Sequence, residues 1–442
     1  MAFREFDSPQ LSRRALFRTS GYLSAGGALA AVPVGRSMLR ASAATTNWAN
    51  VAERIEHYVG TGKVANMVAS FGWGNEAPHS VARGNLGFGS TTAADLDSLY
   101  RIYSMTKPIT GMATMMLIDD GKLGLDQPLA DILPAFADMQ VQKEYDGAIT
   151  PDNLEAAERP ITIRQLLTHT AGLGYGIIQQ GPIKTAYEDR GLIPGQVSRL
   201  PIPGLGRGTP VSSLEAFADG LAQMPLVYQP GVKWSYSVSL DLLGRVIEVV
   251  EKKPFDQVLQ ERLFDPCGME STYFRVPSSE LNRYTDNYGI MAGVPLPIDP
   301  AANSIYLDDP AFPFGGAGLV SSPRDYDRFL RMLLGYGKID GKRVMGELAV
   351  RVGTSNILPR GVQTEGTWVA GQGFGAGGRV VDGAFGWGGA AGTLASVDFK
   401  SGLRAGLYVQ YMPSESYPIR SDFLTALAKD LGREDGAFSI GG

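Results

Sequence analysis

The sequence predicts an α/β (α+β) fold, in which strands from both chain ends share one antiparallel sheet flanked by helices. A helix pattern at residues 48–59 and two strand patterns at 64–73 and 80–83 come first, after an N-terminal leader. Strand patterns then crowd the C-terminal end, at 380–385, 393–399 and 404–411, before a last helix near 419–431. Because strands from both ends can pair, the region between them is expected to form a mostly helical insert.

Each element follows from a local pattern. In the first helix Trp48, Val51, Ile55 and Tyr58 recur on one face, and Gly-, Asn- and Pro-containing turns separate the two strands after it. Residues 99–103 are β-branched and aromatic and predict a short strand, followed by a helix with apolar residues at helical spacing over 109–120. The insert contains helix patterns at 161–167, 214–224 and 240–263 and a Gly- and Pro-rich stretch at 172–210, and a further helix pattern follows it at 326–334. A loop of that length usually has a function.

The first 43 residues are expected to be an export signal rather than part of the fold. The run Ser12-Arg13-Arg14-Ala15-Leu16-Phe17-Arg18 resembles a twin-arginine signal, and Ala41-Ser42-Ala43 fits an A-x-A cleavage site. We therefore expect a periplasmic or extracellular protein. The predicted organisation is a signal peptide at 1–43, a sheet region at 44–104 and 315–442, and a helical region with cleft loops at 105–314.

Composition excludes several classes of partner. The net charge is −5, and removing residues 1–43 takes away six Arg and two acidic residues, which leaves −9. We expect no nucleic-acid partner and no stable membrane insertion of the mature chain, since no basic run is present. The single cysteine, Cys267, permits no intrachain disulfide. The partner expected is a small-molecule substrate, and the oligomeric state stays open.

The chain contains a single serine–lysine pair with the spacing S-x-x-K, Ser104-Met105-Thr106-Lys107. With 12 lysines and 30 serines in 442 residues, about 0.8 such matches are expected by chance, so the spacing alone proves little. Residues three apart on a helix are neighbours, and a desolvated lysine can take the proton of a serine nucleophile. The alternative is a serine that caps the helix and a lysine at the surface.

Two later segments carry residues that suit the same chemistry. Tyr236 follows the long loop region and precedes a helix, where its hydroxyl can relay a proton. The glycine-dense run Phe385-Gly386-Trp387-Gly388-Gly389-Ala390-Ala391-Gly392-Thr393 lets a backbone N–H approach a substrate carbonyl. Taken singly, Tyr236 could be a core aromatic and the glycines a bulged turn.

In this order and spacing the three segments resemble those of the serine β-lactamase and penicillin-binding-protein superfamily. The chain is most similar to the β-lactamase-like carboxylesterases, called family VIII esterases, through phrases such as Leu166-Leu-Thr-His-Thr-Ala-Gly-Leu173. The resemblance implies a β-lactamase/transpeptidase-like fold over residues 48–432. It also implies that Ser104 is the nucleophile, Lys107 its base partner and Tyr236 the proton relay. The oxyanion hole would be the backbone N–H groups of Ser104 and Ala390.

The chain departs from the penicillin-recognising enzymes at two positions. Val238 stands where those enzymes have an asparagine, and Trp387 stands where they have a lysine or histidine before Gly388 and Gly389. An anionic lactam would lose a contact of about 1.5–3 kcal/mol, whereas an uncharged ester would lose nothing. With these four residues and Tyr175 as substrate contacts, we expect hydrolysis of esters with short to medium acyl chains. A β-lactamase, a D-Ala-D-Ala carboxypeptidase and an acyltransferase are the alternatives.

Other mechanisms find less support in the sequence. No serine has the G-x-S-x-G context of an ordinary Ser-His-Asp hydrolase, and His169 is one of only three histidines. No H-E-x-x-H pattern or ligand cluster indicates a metal, and we expect no cofactor. A non-catalytic binding module of the same fold would have no need for Ser104, Lys107 and Tyr236 together.

Overall fold

A computed structural model describes residues 46–200 and 208–432. The predicted signal peptide lies outside these residues. In the described part of the chain, no helix combines the length and apolar character needed to cross a membrane.

The helices are distributed along the chain, with most of them between the two sheet-forming ends. They are α1 Ala49–Gly60, α2 Thr106–Asp119, α3 Ile163–Leu167, α4 Pro182–Asp189, α5 Leu214–Ala222, α6 Ser239–Glu251, α7 Phe255–Leu259, α8 Asp265–Cys267, α9 Pro323–Leu334, α10 Glu347–Gly353 and α11 Ile419–Asp430. A π-helical turn at Gln260–Phe264 joins α7 to α8.

The longer strands lie at the two chain ends and in the pair β7 and β8, and the others have two or three residues. They are β1 Asn66–Trp73, β2 His79–Gly84, β3 Tyr100–Arg101, β4 Gln140–Gln142, β5 Leu154–Ala156, β6 Thr272–Tyr273, β7 Asn287–Met291, β8 Val294–Asp299, β9 Val320–Ser321, β10 Lys338–Ile339, β11 Lys342–Arg343, β12 Gly373–Phe374, β13 Arg379–Val381, β14 Ala384–Gly388, β15 Leu394–Asp398, β16 Leu403–Tyr408 and β17 Tyr411–Met412.

A seven-stranded antiparallel sheet organises the molecule, with the order β12-β13-β14-β15-β16-β1-β2. The N-terminal β1 pairs with the C-terminal β16, with Val68 opposite Tyr408. On one face α1 and α11 bury an apolar cluster that includes Trp48, Phe71 and Phe423. On the other face α9 packs against β1, β15 and β16. Strands from both ends therefore share one sheet covered on both faces, as predicted.

Residues 99–103, predicted as a five-residue strand, contain only the two-residue strand β3. β3 does not join the main sheet; it pairs with β9 in a three-stranded sheet of order β3-β9-β6. The side chain of Gln410 takes the place of a second neighbouring strand, because its amide pairs with both backbone groups of Arg101. Gln410 Oε1 accepts the Arg101 N–H at 3.1 Å, and Gln410 Nε2 donates to Arg101 O at 3.1 Å.

The predicted strand at 380–385 is also wrong, because a tight turn divides this region into β13 and β14. Asp382 and Gly383 have φ angles of +49° and +89°. An Asp-Gly pair with two positive φ angles fits a two-residue hairpin turn between antiparallel strands. β14 consequently extends to Gly388, and the glycine-dense run starts on a central strand of the sheet.

Candidate active site

The backbone turns sharply just before Ser104. Tyr103 has a φ of +42°, a left-handed conformation that is costly for a tyrosine. The turn Tyr103–Met105 is a 3-10 helix that runs directly into α2. From Thr106 to Ile118 every residue of α2 is buried, including Lys107 and three threonines, so the helix runs through the interior. Ser104 therefore lies half-buried at the entrance of a central helix.

Two side chains from separate segments contact the Ser104 hydroxyl. The Tyr236 hydroxyl donates a hydrogen bond to Ser104 Oγ at 2.7 Å, and Lys107 Nζ donates to the same oxygen at 3.3 Å. The predicted nucleophile, base partner and relay are thus brought together around one atom. Tyr236 makes the shorter of the two contacts with the Ser104 hydroxyl.

Lys107 is completely buried, with its amine enclosed by polar and aromatic groups. Nζ donates a hydrogen bond to Gly316 O at 2.6 Å and lies 4.6 Å from the centre of the Tyr236 ring and 6.0 Å from that of Tyr175. The alternative of a lysine at the surface is wrong. A buried amine held against a phenol ring and a serine hydroxyl is suited to exchange protons with both.

A cage of aromatic rings surrounds Tyr236. The ring centres of His169, Trp368, Tyr175 and Trp387 lie 4.8, 4.9, 5.8 and 5.9 Å from that of Tyr236. Packing on several sides fixes the phenol ring in one orientation. No sequence pattern indicated Trp368, which is in a loop more than 130 residues away and half-exposed.

The glycine-dense run forms the turn between β14 and β15. A Cβ at Gly389 would lie 2.2 Å from Ile102 O, so the absence of a side chain lets this turn press against the segment before Ser104. Ala390, the next residue, lines the same cavity as Ser104. The Ser104 N–H is in the first turn of its helix, where N–H groups have no intrahelical acceptor. This placement is compatible with the predicted oxyanion hole.

A cavity of about 1020 Å³ opens beside Ser104. Its lining is mostly apolar and includes Tyr175, Leu192, Ile193 and Phe314. Of the five predicted substrate contacts, Tyr175 lines the cavity. Trp387, Gly388, Gly389 and Val238 do not belong to the lining residues. Val238 is fully buried in the core, because it immediately precedes α6 and faces inward, so its side chain does not reach a substrate.

His169 is buried and held by Ser237. Its Nδ1 accepts the Ser237 N–H at 3.2 Å and lies 3.0 Å from Ser237 Oγ. Burial lowers the pKa of His169 well below its usual range, and the nearby Lys107 lowers it further. The imidazole is therefore neutral and packs against Tyr236 rather than contacting Ser104. Among the residues that the structure describes, no group of His, Cys, Asp and Glu could hold a metal ion.

Asp241, on α6, is a buried carboxylate that the sequence reasoning missed. Its Oδ1 accepts the Gly316 N–H at 2.8 Å. Burial raises the pKa of Asp241 to about 6, and the neighbouring Lys107 opposes this increase. The available signal was a charge within the apolar run Leu240-Asp-Leu-Leu243, where an amphipathic helix would have none.

The chain is similar to proteins of a known family. A family model described as Beta-lactamase matches residues 27–429. Protein Rv1367c of Mycobacterium tuberculosis is 35% identical over 339 residues, which is 72% of this chain and 79% of that protein. Esterase EstB of Burkholderia gladioli is 29% identical over 252 residues, 54% of this chain and 57% of that protein.

The fold has counterparts among solved structures. The structure of EstCE1, described as a hydrolase with promiscuous acyltransferase activity, superposes with a TM-score of 0.69 at 24% identity. The match covers 86% of this chain and 97% of that chain.

Proposed function

This chain belongs to the beta-lactamase family, and we propose that it is a serine hydrolase that cleaves carboxylic esters through an acyl-enzyme on Ser104. The observation that carries the proposal is the convergence of the Tyr236 hydroxyl and the Lys107 amine on Ser104 Oγ, at 2.7 and 3.3 Å. The mostly apolar cavity beside that oxygen supplies a place for the ester.

The proposed reaction has two halves that use the same groups. Ser104 Oγ attacks the ester carbonyl carbon while the Tyr236–Lys107 pair takes its proton, and the N–H groups of Ser104 and Ala390 stabilise the oxyanion. Collapse breaks the bond to the alkoxy oxygen, and the pair returns the proton to the departing alcohol. Water then attacks the acyl carbonyl carbon and gives a proton to the pair. Collapse breaks the bond to Ser104 Oγ, and the pair returns the proton to that oxygen, which releases the carboxylic acid and restores Ser104.

Two features favour an ester over a β-lactam. Trp387, which packs against Tyr236, supplies no charge to anchor an anionic lactam, a loss of about 1.5–3 kcal/mol, and Val238 is buried away from the cavity. The charged side chains lining the cavity are also mainly acidic: Glu188, Asp308 and Asp309. Among the described residues, Arg199 in the lining is paired with Asp308, and Arg275 outside the lining is paired with Asp309. An uncharged substrate avoids repulsion by the Glu188 carboxylate. The related EstB is named as an esterase.

Acyl transfer to an alcohol is a second candidate. It shares the acyl-enzyme with hydrolysis and differs in the acceptor. A volume of about 1020 Å³ corresponds to the upper end of small-molecule sites, which leaves room for an acceptor beside a short to medium acyl group. EstCE1, which shares the fold, is named as a hydrolase with acyl transfer as a promiscuous activity.

The test combines labelling with a substrate panel. An organophosphonate should add once to the purified protein, on the peptide containing Ser104, and Ser104→Ala should abolish both labelling and ester hydrolysis. p-Nitrophenyl esters of increasing acyl length, assayed beside nitrocefin, should give higher kcat/KM than the lactam. Labelling at another residue would refute the mechanism, and nitrocefin turnover equal to ester turnover would favour the lactamase alternative. Addition of an alcohol acceptor distinguishes transfer from hydrolysis through the product formed.

A further inference from the structure

One buried peptide group, between Gly315 and Gly316, is held at both ends by side chains from two helices. Thr110 on α2, one turn beyond Lys107, donates its hydroxyl hydrogen bond to Gly315 O at 2.7 Å. Asp241 on α6 accepts the Gly316 N–H at 2.8 Å. These are the oxygen and the N–H of the same peptide group, so its plane is fixed relative to both helices.

The next carbonyl group after the held peptide, that of Gly316, contacts the Lys107 amine. Gly316 O accepts the hydrogen bond from Lys107 Nζ at 2.6 Å, the shorter of the two contacts of that nitrogen, since Ser104 Oγ lies at 3.3 Å. A Cβ at Gly315 would lie 2.5 Å from Leu240 O, and one at Gly316 would lie 2.4 Å from Asp241 Oδ2. Two glycines thus allow the loop to approach α6 closely enough for Asp241 to hold it.

The proposed ester cleavage makes no direct use of Asp241, although burying its carboxylate costs free energy. A buried carboxylate is tolerated when hydrogen bonds and a nearby opposite charge compensate for lost hydration. The groups that face Asp241 are Lys107 from α2 and the phenol of Tyr175 from the loop after α3. Tyr236 lies beyond Tyr175, and its ring centre is 5.8 Å from that of Tyr175. An apolar residue would fill the same space at lower cost.

We infer that Asp241 is a positioning residue: by holding the Gly316 backbone, it orients the carbonyl group that directs Lys107 Nζ toward Ser104. This inference rests on the proposed function, because it gives Asp241 its effect through the proton transfer at Ser104. Asp241 acts through hydrogen-bond acceptance by its side-chain oxygen. Asparagine keeps such an oxygen, whereas alanine removes it.

The experiment compares Asp241→Ala and Asp241→Asn with a matched aspartate that holds backbone elsewhere. Asp430 accepts the N–H groups of Asn50 and Val51 at 3.0 and 2.9 Å, at the start of α1 on the far face of the sheet. The measurements are the rate of Ser104 phosphonylation, kcat and KM for a p-nitrophenyl ester, and the thermal midpoint. Labelling requires no ester turnover and therefore reports the reactivity of Ser104 directly.

We expect Asp241→Ala to lower kcat and the labelling rate about 10- to 100-fold, with KM changed less than about 3-fold, because misplaced catalytic groups affect the chemical step. Asp241→Asn should recover both rates to within about 5-fold of the parent, since the amide oxygen can accept the same N–H. Asp430→Ala should lower the thermal midpoint and leave kcat unchanged, which separates positioning from general stability.

Two outcomes would overturn the inference: labelling by Asp241→Ala within about 2-fold of the parent, or Asp241→Asn as slow as Asp241→Ala. If Asp241→Ala does not fold, Thr110→Val takes its place, because it removes the donor at the other end of the peptide. Unchanged rates in Thr110→Val then overturn the inference too. A parent protein that is not labelled on Ser104 refutes the proposed function, whereas a labelled parent with unaffected variants refutes only the role of Asp241.

Discussion

Tyr236 and Lys107 should behave as one proton-transfer unit, so removing both should cost little more than removing one. Tyr236→Phe deletes the 2.7 Å hydrogen bond to Ser104 Oγ but keeps the ring that packs 4.6 Å from Lys107 Nζ. Lys107→Ala deletes the 3.3 Å contact and the amine beneath that ring. General acid–base groups contribute about 10²- to 10⁴-fold each, and we expect each single variant to lose kcat/KM in that range.

The size of the combined loss decides between a unit and two independent groups. Independent roles would multiply to a loss of about 10⁴- to 10⁸-fold in the double variant, whereas a unit leaves it within about 10-fold of the worse single variant. The assay is kcat/KM for one p-nitrophenyl ester in all four proteins, with the Ser104 labelling rate measured beside it. Ser104→Ala supplies the background rate. A double variant whose loss equals the product of the single losses would refute the shared role.

Three further predictions concern stability and substrate choice. Burial raises the pKa of Asp325 from 3.8 to about 6, so the contribution of Asp325 to stability is full below pH 4 and is lost as the pH rises to 6. The free energy of unfolding of Asp325→Asn, measured by denaturant unfolding, should therefore rise relative to that of the parent by up to about 3 kcal/mol between pH 4 and 7. A difference that does not depend on pH would contradict this. Gly111→Ala should lower the free energy of unfolding by about 1–3 kcal/mol, because its Cβ would lie 2.1 Å from Ala376 O; an unchanged thermal midpoint would argue against that close contact. Ala317→Leu adds volume inside the cavity and should reduce kcat/KM for long-chain esters while sparing acetates, whereas an equal loss for all chain lengths would speak against a cavity that binds the acyl group.

Much of the fold could be predicted because it depends on local periodicity. The pattern at 48–59 closely matches α1, and the pattern at 64–73 matches β1 to within two residues, since apolar spacing alone decides which face is buried. The strand prediction at 99–103 failed where a side chain took the place of backbone pairing. No local pattern reveals that Gln410, more than 300 residues away, bonds to the backbone of Arg101 and takes the place of a neighbouring strand. The Asp382-Gly383 turn was readable as a hairpin signal and was overlooked.

The residues around Ser104 could be predicted to differing degrees for a physical reason. Ser104 and Lys107 are three residues apart on one helix, so their proximity follows from helix geometry alone. Tyr236 could be assigned only through the resemblance to a family, because 132 residues separate it from Ser104. The same resemblance made Val238 a substrate contact, but burial at the start of α6 removes it from the cavity. A family pattern therefore gives the position of a residue along the chain and not the direction of its side chain.

The order of the two contacts on Ser104 is the feature that the sequence alone could not supply. A pattern of types and spacings treats Lys107 as the base and Tyr236 as its relay. The structure has Tyr236 at 2.7 Å and Lys107 at 3.3 Å from the same oxygen, with the amine held more tightly by Gly316 at 2.6 Å. Because the Tyr236 hydroxyl donates to Ser104 Oγ, the phenol can take the serine proton in the proposed reaction only as it passes on its own proton, and Lys107 is the neighbouring group of the proposed pair. The direction of Lys107 Nζ toward Ser104 therefore depends on how firmly the backbone that carries Gly316 O is held.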